Sequence, residues 1–166
     1  LDAAQKIRLL SARARLLFMG NRSDDALDHY ESAMALAQEF GHKCHEAICR
    51  GEIGMLLQKE GRFDEARASY GLALTAAREL GDRRHEGRWR GHLGELGRYQ
   101  GDMAAAEEDF DSALELAQEL GDRQYEGIWL GELSKMYRQL GRVLETLEYT
   151  EAALAVAKEL NDRRSE

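Results

Sequence analysis

Proline is absent from all 166 residues, which leaves sixteen glycines as the chain's strongest punctuation and favours helices joined by tight turns over proline-stiffened linkers. Cysteine is nearly absent too. Cys44 and Cys49 fall in one predicted helix, a poor geometry for a disulfide that closes a loop, and the pair suits a reducing cytoplasm. No run approaches the roughly 18 consecutive apolar residues of a membrane helix, so no membrane span is expected. The opening Leu1-Asp2-Ala3-Ala4 lacks the charged-then-apolar pattern of an export signal, which again points to the cytoplasm. Positive charge is in deficit, with 23 Lys and Arg against 31 Asp and Glu and a net charge of -8. That balance argues against a general nucleic-acid-binding surface, which carries a basic excess.

What is present is a repeat. Gly41-His42-Lys43-Cys44-His45-Glu46 returns as Gly81-Asp82-Arg83-Arg84-His85-Glu86, as Gly121-Asp122-Arg123-Gln124-Tyr125-Glu126 and as Asn161-Asp162-Arg163-Arg164-Ser165-Glu166, without gaps. Tyr30, Tyr70 and Phe110 share a column, as do Ala33, Ala73, Ala113 and Ala153. Four units of forty result, covering residues 1–40, 41–80, 81–120 and 121–160, with 161–166 opening a further one. Each unit has a second stop signal, at Asn21, Gly61, Gly101 or Gly141, where the chain can take the left-handed conformation that ends a helix.

Two amphipathic helices per unit follow, A before this stop and B after it. In A, Trp89, Leu93 and Leu96 recur at helical spacing, as do Trp129, Leu133, Met136 and Leu140; in B the stripe is Ala66, Tyr70, Ala73, Leu74 and Ala77. One such pair cannot cover its own apolar stripes, so stability must come from stacking pair on pair into an all-α solenoid. With 43% hydrophobic and 33% charged residues the chain can bury the core of a single repeat domain over 1–166. The alanines of B permit close approach, and Tyr30, Tyr70 or Phe110 fills the space between, contributing about 1.5–3 kcal/mol each when fully buried.

These columns resemble the tetratricopeptide repeat over the whole chain. Ile53-Gly54, Leu93-Gly94 and Leu133-Ser134 stand at its Leu-Gly pair, Tyr137 at its tyrosine, and Ala66/Tyr70/Ala73 and Ala106/Phe110/Ala113 at its small, aromatic and small positions. The period of forty and the runs Gly51-Glu52-Ile53-Gly54 and Gly91-His92-Leu93-Gly94 look like a longer subclass. That subclass is similar to spindle-orientation adaptors of the Pins type and to helical sensor arrays of bacterial signalling ATPases and kinases. The resemblance implies a right-handed superhelical α-α solenoid that binds peptides or proteins along a concave face lined by the A helices. Two repeats depart from the pattern: Arg13 and Ala14 replace the Leu-Gly pair in the first, and Thr146 and Thr150 replace the alanine and aromatic in the last. The non-methionine start and the interrupted fifth signature suggest a piece of a longer array. Leu147, Leu154 and Val156 on the last B helix are then expected to lack cover, and self-association to follow.

Charge divides by half-repeat. The A halves carry +3, 0, +2 and 0, the B halves -4, 0, -7 and -2. On the implied concave face this places Arg8, Arg15, Lys59, Arg88, Arg98, Lys135 and Arg138, with Glu52, Glu95 and Glu132 between them and Ile48, Met55 and His92 alongside. An acidic peptide or protein segment is the expected partner. Solvated charges pairing with one another are the bland alternative for each arginine singly, because exposed ion pairs contribute little. Gly87, Gly91, Gly94 and Gly97 each cost about 1 kcal/mol against alanine inside a helix. They admit either a closely packed neighbour or a ligand's backbone.

Catalytic chemistry finds little footing. His42, Cys44, His45 and Cys49 have a metal-like look, but Cys49 shares the column of Trp89 and Trp129, a core position, and Cys44 that of Arg84 and Gln124. The tryptophans themselves read as core before ligand anchors. His92 stands in the column of Glu52 and Glu132, where flanking carboxylates would raise its pKa, or as an ordinary exposed histidine. The glycine runs lack a phosphate-loop lysine and a preceding strand. The sequence therefore predicts a non-enzymatic protein-interaction scaffold with no cofactor or metal. The second reading is a ligand-sensing or autoregulatory segment of a larger signalling ATPase or kinase.

Overall fold

A computed structural model of the protein describes residues 1–162. Among them are eight helices and no strand: α1 (Ala3–Met19), α2 (Ser23–Glu39), α3 (Lys43–Lys59), α4 (Phe63–Glu79), α5 (Arg83–Gln100), α6 (Met103–Glu119), α7 (Arg123–Gln139) and α8 (Val143–Asp162). The odd-numbered helices are the A halves and the even-numbered ones the B halves. The chain divides into two compact units, Leu1–His85 and Glu86–Glu166, with the division in the first turn of α5.

The turns form where the stop signals lie. Asn21, Gly41, Gly61, Gly81, Gly101, Gly121 and Gly141 all have positive φ, between 60° and 83°. In this conformation the next amide closes back on the helix, as when Arg62 N donates to Leu57 O at 2.9 Å. Asn161 behaves otherwise, and α8 runs through it to Asp162. An asparagine pays a steric cost in the left-handed region that glycine does not. Asn21 bears it where the chain folds back into α2. The rest of the expected fifth signature, Arg163 to Glu166, lies outside the described residues.

In the first unit α1 packs on α2, α2 on α3 and α3 on α4. Ala26, Tyr30, Ala33 and Ala37 of α2 are buried, as are Ala66, Tyr70, Ala73, Leu74 and Ala77 of α4. Gly54 sits under the Tyr70 ring so closely that a Cβ there would lie 2.8 Å from Tyr70 Cε1. In the second unit Ala106, Phe110, Ala113 and Ala117 of α6 form one cluster with Trp129, Leu133, Met136 and Tyr137 of α7.

The paired columns of A and B vary together. Gly54 accommodates Tyr70, and Gly94 accommodates Phe110, whose Cδ1 would be 2.9 Å from an added Cβ. In the last repeat the glycine column holds Ser134 and the aromatic column Thr150, and their hydroxyl oxygens are 2.7 Å apart. The serine at the Leu-Gly pair and the departure at Thr150 are thus one compensated exchange, a hydrogen bond in place of a ring on a glycine. In the first repeat Ala14 is buried and Arg13 exposed.

Leu147 and Leu154 of α8 are exposed as expected, but Val156 is not. It turns toward α7, where a Cβ on Gly127 would lie 3.2 Å from its Cγ1, and that contact buries it.

Candidate binding surfaces

In the first unit the candidate residues lie on α1 and α3. Glu52 is the most enclosed, 4% exposed. Its carboxylate accepts a hydrogen bond from Tyr30 Oη at 3.2 Å, and Arg15 approaches to 3.9 Å. Burial, and then the charge of Glu52, push the Tyr30 phenol well above its ordinary range, so it stays a donor at any physiological pH. Lys59 Nζ stands 4.6 Å from the centre of the Phe18 ring, a cation-π contact joining α3 to α1. Arg8 is exposed, and Ile48 and Met55 are half-buried.

In the second unit they lie on α5 and α7. Arg98 is buried and its Nη2 donates to Glu132 Oε2 at 3.0 Å, while Lys135 Nζ donates to the other oxygen at 2.5 Å. The Arg98 Nε is buried with no hydrogen-bond partner among the described residues. His92 Nδ1 is 3.2 Å from Glu95 Oε2 on its own helix, and its ring meets Trp129 edge-on at 5.7 Å. The guanidinium of Arg88 lies 4.6 Å from the Trp89 ring centre. Lys135 and Arg138 are exposed. These surfaces therefore bring together two carboxylates held by cations, Glu52 with Arg15 and Glu132 with Arg98 and Lys135, and leave Arg8 and Arg138 reaching outward.

The four α5 glycines are all covered by protein. Added Cβ atoms would meet Leu116 Cβ at 3.1 Å from Gly87, Phe110 from Gly94 and Ala106 Cβ at 3.3 Å from Gly97, and from Gly91 would overlap the Trp129 ring. Close packing accounts for them, and no floor for a ligand's backbone remains there.

The metal-like residues are dispersed. Cys49 is buried with its Sγ 3.6 Å from Ser11 Oγ, Cys44 is exposed, and the rings of His42 and His45 meet edge-on at 5.8 Å. No group of three metal-ligating side chains occurs among the described residues. No helix among them is long and apolar enough to cross a membrane.

The tetratricopeptide repeat family model matches residues 45–119 and again 88–159. The chain belongs to the tetratricopeptide repeat family. No curated protein sequence matches it. Among solved structures it is similar to a Rap protein complexed with Competence and Sporulation Factor, with a TM-score of 0.90 and 18% identity over 98% of this chain and 45% of that one. It is similar also to aspartyl phosphate phosphatase F from Bacillus subtilis, at 0.89 and 14% over 98% and 43%, and to BtubC from P. vanneervenii, at 0.81 and 21% over 96% and 66%. Identities this low establish a shared helical-repeat fold. The chain spans 43% to 66% of the lengths of these proteins.

In this tetratricopeptide repeat chain Arg123 and Glu126 of the repeat signature are structural. Arg123 donates to Glu126 of its own helix and to Glu159 of α8, and Gln118 of α6 reaches the same Glu126 at 3.4 Å. Sequence reasoning also missed a surface cavity of 410 Å³ between α1 and α2, lined by Arg13, Leu16, Leu17 and His29. Its signal lies in the columns: Leu17 and His29 stand where the last repeat has Tyr137 and Tyr149, whose rings stack at 5.3 Å.

Proposed function

We propose that this chain is a protein-interaction scaffold whose A helices hold an acidic peptide or protein segment. The observation that carries the proposal is the division of charge: the A halves are neutral or positive and the B halves neutral or negative, although the whole chain is negative. In each unit the same helices also carry a buried carboxylate already attended by cations, which keeps added negative charge for the outward arginines Arg8 and Arg138. Within the first unit the contact residues are Arg8, Arg15, Ile48, Glu52, Met55 and Lys59. Within the second they are Arg88, His92, Glu95, Arg98, Glu132, Lys135 and Arg138.

The test uses the exposed cations. Arg98→Glu or Lys135→Glu would set a second carboxylate against buried Glu132, and Arg15→Glu one against buried Glu52, confounding binding with folding, so Arg8 and Arg138 are reversed to glutamate together. Retention of acidic against basic peptides is then compared at low salt, with circular dichroism monitoring the fold. The expected result is selective retention of acidic peptides and at least a tenfold loss in the variant. Equal retention by the folded variant defeats the proposal.

A second reading, a ligand-sensing or autoregulatory segment of a larger signalling protein, is favoured by the Rap protein complexed with Competence and Sporulation Factor. This chain covers 45% of that protein. Capture of an external partner by the isolated chain supports the scaffold, and capture only of other domains of a parent protein supports the sensor.

A further inference from the structure

The ion-pair bridge that closes the fourth repeat is open in the second. In the fourth, the Arg123 guanidinium joins Glu126 of its own helix to Glu159 of α8, with Nη1 donating to Glu126 Oε2 and Nε to Glu159 Oε2 at 3.1 Å. The other Glu126 oxygen accepts from Gln118 of α6. In the second repeat the same columns hold Glu46, Glu79 and Gln38, but Lys43 stands in place of Arg123. Gln38 again donates to Glu46 Oε1, at 2.9 Å, and Arg50 donates to the same oxygen at 3.0 Å. Among the described residues the second Glu46 oxygen accepts no hydrogen bond, and neither Lys43 nor Glu79 makes an ion pair. A cavity of 260 Å³ opens here, lined by Lys43, Glu46 and Arg50 of α3 and by Glu79 at the end of α4, with Ala47, Ala76 and Leu80 as apolar walls. The walls supply part of the space. In the fourth repeat Val156 reaches across to Gly127, where an added Cβ would lie 3.2 Å from its Cγ1, and the second repeat has the shorter Ala76 opposite Ala47 in these columns. We propose that this cavity binds a guanidinium group from outside the chain, seated between Glu46 and Glu79 as that of Arg123 is seated between Glu126 and Glu159.

Two carboxylates on neighbouring helices suit the planar fork of donors that a guanidinium presents, whereas a lysine ammonium is a point charge on a flexible stem. Lys43 is therefore no equivalent of Arg123, and it is exposed. With Lys43 turned to solvent, Arg50 faces both Glu46 and Glu79, and one negative charge is left for the guest. Full burial is not required, since the closed bridge keeps its hold with the Arg123 side chain 31% and that of Glu159 38% exposed. The alanine and leucine walls give the methylene stem of a guanidino compound an apolar surface to lie on. At roughly 30 Å³ for each water the cavity has the volume of about eight, ample for a guanidinium and its stem. None of these residues belongs to the surfaces proposed above for an acidic segment, so the two sites stand or fall separately.

Titration of the isotope-labelled full chain at low salt, followed by amide NMR, tests this. N-acetyl-arginine methylamide should produce saturable shifts centred on Glu46, Glu79 and Leu80, and N-acetyl-lysine methylamide should bind at least tenfold more weakly. Glu79→Gln, at an exposed position, should weaken binding of the arginine compound at least tenfold without changing the fold. Lys43→Arg supplies the guanidinium from within the chain and should abolish binding from outside, whereas Lys43→Ala should retain it. Methylguanidinium that binds as tightly as the capped arginine assigns the site to small guanidino compounds. A capped glycine-arginine-glycine peptide that binds at least tenfold more tightly than methylguanidinium assigns it to an arginine side chain of a partner. An absence of saturable shifts, equal binding of the lysine compound, or undiminished binding by Lys43→Arg overturns the proposal.

Discussion

Cys44 and Cys49 lie five residues apart on one helix and meet opposite conditions. Cys44 is exposed, whereas burial pushes the Cys49 thiol up, with the Ser11 hydrogen bond opposing and the charge of Glu52 adding to the shift. The thiolate is the reactive form, so titration of the native protein with a disulfide reagent should show one fast thiol and a second that reacts only on unfolding. Two fast thiols would contradict the burial. His45 gives a pH signature. Burial, then the charges of His42 and Arg8, hold its imidazole below the ordinary value in the folded chain. Below about pH 6.5 the unfolded chain takes up a proton that the folded chain refuses, so stability should fall as the pH drops through that value. Chemical denaturation at pH 7.5 and 5.5 measures the loss, and His45→Gln should reduce it. An unchanged pH dependence in that variant would remove His45 from the account.

At the scale of helices, the register carried most of what the sequence disclosed. A period of forty put Cys49, Trp89 and Trp129 in the core, and all three are at most 1% exposed. Burial of charged pairs was not legible, because Arg98 and Glu132 occupy positions that look solvated along their own helices. Their depth depends on how close α5 and α7 come, which a one-dimensional pattern does not contain. Nor was the Ser134–Thr150 hydrogen bond visible, since its halves lie on different helices, Ser134 reading as part of the Leu-Gly pair and Thr150 as a departure. Columns expose such pairs only when both partners are compared at once. The glycines of one column offer a direct test of that logic. Gly91→Ala gains about 1 kcal/mol of helix propensity but drives a methyl into the Trp129 ring, at a cost of about 1–3 kcal/mol or more. Gly131→Ala, with open space around it, gains the propensity alone. Denaturant midpoints should therefore fall for Gly91→Ala and rise for Gly131→Ala. Midpoints that move together would mean that Trp129 does not roof Gly91.

For the molecule as a whole, a repeat chain distributes its stability among neighbouring helices instead of gathering it in one centre. The two compact units express this, each with its own buried aromatics: Tyr30 and Tyr70 in one, Phe110 and Trp129 in the other. Both tryptophans of the chain, Trp89 and Trp129, belong to the second unit, so their fluorescence reports that unit, while circular dichroism reports all the helices. Phe110→Ala removes a fully buried ring from between Gly94 and Trp129 and should cost about 3–5 kcal/mol. If interactions are limited to neighbours, that loss falls first on the second unit. Tryptophan fluorescence of Phe110→Ala should then change at lower denaturant than the bulk of the helical signal. A matching truncation in the first unit, Tyr30→Ala, should reverse the order of the two probes. Coincident transitions in both variants would mean that the eight helices fold as one cooperative body, and that damage at any repeat is shared by every surface the chain offers a partner.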